Sequence, residues 1–256
     1  MNKILKTLND LLPLGMLAFA LVLILVPLPV MVIQVLIVLN ISFSLCLFLS
    51  KFFGQTSIAY NFPRLVLYFC TFTCALIIAT TRTFLAIPAL EGQIPLVLII
   101  GQWICRENFI CGFFTTLMLC GSLLLYCKMH VNRSQEIAAR FCLDRMNQQL
   151  FDIDQKIARK EITEDEGEFQ KKRVAEKVDL YSSMDGSAKF LMGTLTAFTI
   201  LYVVAVGGGV AVGILDRNMH WKDALNQYVM LSSGYLVLFV IPLFLTSLGF
   251  KTKLGD

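Results

Sequence analysis

The sequence predicts an all-α polytopic membrane protein: about six transmembrane helices, or as many as eight membrane segments, with a charged helical hairpin between the fourth and fifth spans. Three observations predict it. Hydrophobic residues make up 57% of the chain and charged residues 16%, and the mean hydropathy is +0.71, which excludes an ordinary soluble domain of 256 residues. Apolar runs recur at lengths that cross hydrocarbon. One polar block, Lys128 to Lys189, interrupts them and holds twelve of the 22 Lys and Arg residues. Each ionised group costs roughly 2.5–3.5 kcal/mol at the centre of a membrane, so the block lies in water.

The chain therefore divides into a membrane region over 1–127 with about four spans, a cytoplasmic hairpin over 128–190, and a membrane region over 191–256 with about two spans and a short tail. Lys3, Lys6, Lys51, Arg64, the block, Lys251 and Lys253 mark one side of the membrane. The other keeps Arg106, Arg217 and Lys222. The positive-inside rule places the first set, and both termini with it, in the cytoplasm.

The first span, Leu11 to Val26, is too long for the core of a signal peptide and lacks a small-x-small cleavage site. Pro27-Leu28-Pro29 ends it, because two prolines so close cannot continue a helix. The second span, Val30 to Leu49, carries Gln34, Asn40, Ser42 and Ser44, polar groups that face other helices rather than lipid. Asn40 reads as a helix-packing residue, with a place on a pathway as the alternative. The third span, Leu65 to Ile87, ends in Thr80-Thr81-Arg82, where Arg82 either snorkels to the interface or lines a pore. Within Pro88–Asn108 only Ile94–Ile100 is apolar, which is too short to cross and reads as re-entrant or interfacial. The fourth span runs from Phe109 to Tyr126.

Inside the block, Ile137/Ala138, Phe141/Cys142 and Met146/Leu150 recur at helical spacing and predict an amphipathic helix over Gln135–Leu150. A second helix begins at the capping box Thr163-Glu164-Asp165-Glu166, with Lys171, Lys172 and Arg173 further along as the helix dipole prefers. The fifth span, Leu191 to Leu215, sets Ala205, Gly209 and Gly213 at four-residue intervals for close helix packing, while Gly207-Gly208-Gly209 weakens the helix. The last span, Tyr228 to Leu248, reads as broken at Gly234 and Pro242.

No nucleophile elbow, phosphate-cradling glycine loop or His-Glu-x-x-His is present, and the eight cysteines form no C-x-x-C pair. They read as small hydrophobes within apolar runs. No catalysis, cofactor, metal or nucleic-acid partner is expected.

The block carries Arg133-x5-Ala139-Arg140-Phe141-x2-Asp144 and, after the hairpin, Met184-Asp185-Gly186-Ser187-Ala188-Lys189-Phe190. These motifs resemble the signature of the FlhA/LcrD (FHIPEP) export-gate family of flagellar assembly and type III secretion. The likeness extends to Pro27-Leu28-Pro29, Asn40, Phe62-Pro63, Ala79-Thr80-Thr81-Arg82, Gly101-Gln102, Asn108 and the glycine-rich fifth span. It implies a subunit of the export apparatus in the bacterial inner membrane, assembled as a homo-oligomeric ring with other export-apparatus membrane subunits and linked to the proton motive force. The charged positions it marks are Arg82, Arg133, Arg140, Asp144, Asp185 and Lys189. Arg140, Asp144 and Lys189 are expected to form an ionic cluster that ties the hairpin to the membrane part.

The resemblance also implies acidic residues where this chain has Gln34, Thr194 and Tyr235, and an arginine and an asparagine where it has Thr73 and Ile77. Met146-Asn147-Gln148-Gln149 stands where the family has a Met-Pro-Gly-Lys-Gln run. The family's large cytoplasmic domain follows its spans, whereas this chain stops at Asp256. One alternative is that a separate chain supplies that domain, with exported proteins met only indirectly. Three readings follow: a divergent or split gate subunit, a structural homologue that no longer conducts protons, and a small-molecule carrier. The absence of an inverted repeat weakens the third.

Overall fold

The computed structural model describes residues 2–52, 56–87, 92–106, 108–140 and 146–250. Among them are eight helices and no strand: α1 Asn2–Leu25, α2 Val30–Phe52, α3 Thr56–Ala86, α4 Pro95–Cys105, α5 Phe109–Arg140, α6 Met146–Ala158, α7 Glu164–Leu215 and α8 Trp221–Gly249. Five are long and apolar enough to cross a membrane, namely α2, α3, α5, α7 and α8, while the stretches Leu12–Leu25 and Pro95–Cys105 are shorter.

Burial separates these helices into a centre and a periphery. In α8, 72% of the most apolar window is buried and in α3 56%, against 18% in α5. A helix that is apolar all round must be enclosed, whereas one that leaves Met118 and Leu125 bare faces lipid or a neighbour. Accordingly α8 packs against α2, α4, α5 and α7, and α3 against α1, α2 and α7. The α1 and α3 helices run in the same direction, with Phe19 stacked on Phe72 at 6.1 Å near their middles. The ends of α3 and α8 meet where Phe62 meets Phe250 edge-on at 5.4 Å, and Ser247 bonds Cys127 of α5 at 3.4 Å nearby. That is the hairpin end of the bundle.

Three sequence expectations change. The helix expected over Gln135–Leu150 does not begin at Gln135: α5 runs on from its span through Gln135 to Arg140, and beyond residues 141–145, which are not described, the chain is helical again from Met146 as α6. The stripe positions Phe141 and Cys142 lie outside the described residues. The fifth span does not begin anew at Leu191 either. It is the second half of α7, one continuous helix of 52 residues and about 78 Å at 1.5 Å per residue. The polar block was bounded at Phe190 by composition, although Ser187 and Ala188 just before that boundary are already buried helical positions of α7. The capping box at its start is intact, with Glu166 N–H donating to Thr163 Oγ1 at 3.3 Å and Thr163 N–H to Glu166 Oε2 at 3.2 Å.

The α8 helix, expected to break, is continuous through Gly234 and Pro242. Gly234 is there for closeness. A Cβ on it would collide with the carbonyl oxygen of Val97, and one on Gly101 with that of Met230, so the backbones of α4 and α8 touch through two glycines. Gly193, by contrast, has no atom within 4 Å of the place its Cβ would take. Gly234→Val is expected to destabilise the protein by roughly 3 kcal/mol, since the obstacle is backbone and cannot swing away, and Gly193→Ala to be neutral or slightly stabilising. Thermal unfolding in detergent compares the two.

Candidate functional site: a neutral polar ladder on α3

The α3 helix is apolar on most of its surface, yet one side carries Thr73, Cys74, Thr80 and Thr81, followed by Arg82. A hydroxyl in hydrocarbon needs a partner, and a helical Thr finds one in the carbonyl four residues back. Thr80 donates to Leu76 O at 2.7 Å and Thr81 to Ile77 O at 2.8 Å. The remaining bonds reach outward, to a different helix each time. Thr73 Oγ1 donates to Asn40 Oδ1 of α2 at 2.9 Å. Cys74 Sγ lies 3.7 Å from Thr194 Oγ1 of α7. Thr81 Oγ1 and Tyr235 Oη of α8 share a bond of 2.9 Å, with Tyr235 Oη also 3.4 Å from Ile77 O.

Cations complete the ladder at the end of the bundle opposite the hairpin. Arg82 donates to the carbonyls of Ile24 at 3.0 Å and Leu25 at 3.1 Å, the last residues of α1. Arg217, just past α7, donates through Nη2 to Leu85 O at 2.7 Å and through Nη1 to the hydroxyl of Tyr228. Gln93 Nε2 reaches Phe84 O at 3.2 Å and Ile87 O at 2.7 Å. Helix C-termini leave carbonyls unpaired and carry partial negative charge, so a guanidinium placed there satisfies both demands. Tyr228 itself is enclosed: Gly209 and Gly213 make room for its ring on one side, and Phe84 meets it edge-on at 5.6 Å.

Electrostatically the interior is neutral, since no Asp, Glu, Lys or Arg is fully buried among the described residues. Hydroxyl and amide groups exchange hydrogen bonds without titrating near neutral pH, so the rungs ahead of Arg82 can position their partners but neither gain nor lose charge. It also has polar capacity to spare: Gln34 Oε1, Asn40 Nδ2, Ser44 Oγ and Ser232 Oγ are buried without a protein partner. No group of three or more His, Cys, Asp or Glu is placed to hold a metal among the described residues.

The structure brings together some of the residues singled out in the sequence and separates others. Asn40 and Arg82 are part of the ladder, and Gly209 and Gly213 adjoin it. Arg82 caps α1, which neither snorkelling nor pore lining had anticipated. Arg133 and Arg140 are exposed on the far reach of α5, and Arg140 forms no ion pair with a described residue. Asp144 lies outside the described residues. Lys189 pairs at 2.6 Å with Asp185, four residues earlier on its own helix, while the expected link to Arg140 runs through Asp144 and so lies outside the described residues. Such an exposed pair contributes less than about 1 kcal/mol. Thr73, Thr194 and Tyr235, identified only as departures from the family pattern, are buried on α3, α7 and α8, and Gln34 of α2, also expected to face other helices, buries its Oε1. Sequence reasoning missed Arg217 and Gln93; a polar residue within a few positions of an apolar helix end was the signal available.

A model of the FHIPEP family matches residues 20–250. The chain belongs to the FHIPEP family. Among proteins similar to this FHIPEP chain, flagellar biosynthesis protein FlhA of Bacillus subtilis is 29% identical over 207 residues, covering 80% of this chain and 30% of that protein. A probable translocation protein, y4yR of Sinorhizobium fredii, is 28% identical over 211 residues, with 82% and 30% covered. FlhA of Salmonella typhimurium is 29% identical over 206 residues, with 78% and 29% covered. This family member thus spans about 30% of the length of the relatives it matches. No solved structure matches it.

Arg82→Ala is expected to cost about 2 kcal/mol, because two carbonyls lose a charged donor, and to raise the labelling of a cysteine placed at Leu25. Tyr235→Phe removes one neutral bond and should cost no more than about 1 kcal/mol, since Thr81 keeps its own-helix carbonyl. Unfolding midpoints of the two variants check the order.

Proposed function

We propose that this chain is the membrane-embedded part of a protein-export gate, working among other export-apparatus membrane subunits as a ring of identical copies. One observation carries the reading: the family match runs from residue 20 to 250, and the relatives it joins bear the names flagellar biosynthesis and translocation protein. In this reading α1 is a sixth crossing beside the five long apolar helices, supported by its parallel packing on α3 and the cap that Arg82 places on its end. Both termini then share the side of the hairpin, which the basic residues assign to the cytoplasm of a bacterial inner membrane. Affinity purification from native membranes with an intact secretion machine is expected to recover other export-apparatus membrane subunits. Recovery of the chain alone overturns the proposal.

The neutral ladder favours a second reading, a structural or assembly homologue of the gate that does not conduct protons. Gln34, Thr73, Thr194 and Tyr235 occupy the seam between α2, α3, α7 and α8, and none of them titrates near neutral pH. Reconstituted into vesicles with an imposed pH gradient, the protein should then leave the proton leak at the level of empty vesicles. A flux abolished by Asp144→Asn or Lys189→Ala overturns this reading and restores the conducting gate.

A further inference from the structure

Between α5 and α7, towards the hairpin end, lies a groove of about 440 Å³. Its walls are apolar, formed by Leu124 and Leu125 on α5 and by Met192, Leu195 and Ile200 on α7. Two threonines also line it, but their hydroxyls are taken: Thr196 bonds Met192 O and Thr199 bonds Leu195 O, both at 2.9 Å. The cation at its mouth is Lys128, exposed and without an ion pair to any described residue. Among the described residues no carboxylate lines the groove, and Asp185 on α7 is engaged by Lys189. At the other end Gly121 keeps the floor open, with nothing within 4 Å of where its Cβ would stand.

The depth of the groove follows from its helices. The exposed Tyr126 and Lys128 fall where the apolar part of α5 gives way to the polar block, and exposed Phe190 and Lys189 do the same on α7, the residue types that settle at a membrane surface. From Lys128 to Gly121 the groove descends about 10 Å along α5, within a half-bilayer of roughly 15 Å. An apolar trough of that depth, entered beneath one uncompensated cation and asking for no other polar contact, matches one occupant. We propose that it holds an acyl chain of an anionic phospholipid, whose phosphate sits on Lys128.

Native mass spectrometry of the detergent-purified protein, titrated with phosphatidylglycerol or phosphatidylcholine, tests the site. Phosphatidylglycerol should bind preferentially, and Lys128→Gln should weaken its binding about fivefold, to the level of the zwitterionic lipid. Gly121→Leu, which keeps the cation and fills the trough, should weaken both lipids. Both changes lie on exposed or open positions of a helix, so the fold tolerates them. Equal binding of the two lipids, or a preference unchanged in both variants, overturns the proposal. A cysteine at Thr196 gives a third arm in native membranes. No disulfide between copies is expected, and efficient cross-linking would instead seat a second copy of this chain in the groove and overturn lipid binding.

Discussion

Everything in this bundle depends on pairing polar groups without water. Hydrocarbon supplies no donors or acceptors, so a hydroxyl or amide placed among the spans is costly unless it finds a partner in the chain, as the threonines of α3 do. The α3 helix meets that requirement by two kinds of bond. Thr80 and Thr81 turn back to carbonyls of their own helix. Single bonds then reach α2, α7 and α8, one to each. Bonds of this kind average only about 0.6 kcal/mol between membrane helices. They cannot hold the bundle together, but they do fix which face of each helix turns inward. The cohesive part is packing, visible in the apolar burial of α8 and in the glycine contacts that let α4 and α7 approach it.

The opposite end of the bundle solves a different problem with charge. The helices α1 and α3 both terminate there, each with carbonyls that no later residue of the helix can reach. Arg82 and Arg217 take up three of these carbonyls, at Ile24, Leu25 and Leu85. Each arginine reaches across to a helix other than its own, so each cap is also a joint. The sequence pattern Thr80-Thr81-Arg82 therefore has a double use, with the threonines facing the core and the arginine reaching the neighbour's end.

Much of the fold could be read before the coordinates, and the failures share one cause. Long apolar runs made α2, α3 and α8 legible because period and length suffice for them. The capping box at Thr163 was legible because four consecutive residues determine it. Element boundaries inside the block were not. Polarity was taken to separate hairpin from span, whereas a helix crosses from water to lipid without a break when its backbone bonds are all internal. Gly234 and Pro242 were read through local propensity, yet α8 stays continuous where it is enclosed by its neighbours, an instance of tertiary packing overriding intrinsic preference. Of the polar seam, Asn40 and Arg82 were visible as odd residues in apolar surroundings, and Gly209 and Gly213 as a periodic stripe. Arg217 was counted only as a loop charge, because its partners Leu85 and Tyr228 are distant in sequence or hidden in an apolar helix.

The unbroken course of α7 has a mechanical consequence. In the proposed arrangement its first 26 residues, Glu164 to Lys189, project about 39 Å beyond the membrane-embedded half. Strut and span are one rod, with no hinge to absorb an angle between them. A push that rotates the projecting arm by 10° about the membrane border moves its tip by about 7 Å, by the same rise per residue. The same push must rotate the buried half, where Phe198 and Ala205 are packed into the core. Force applied in water is thus converted directly into shear inside the bilayer.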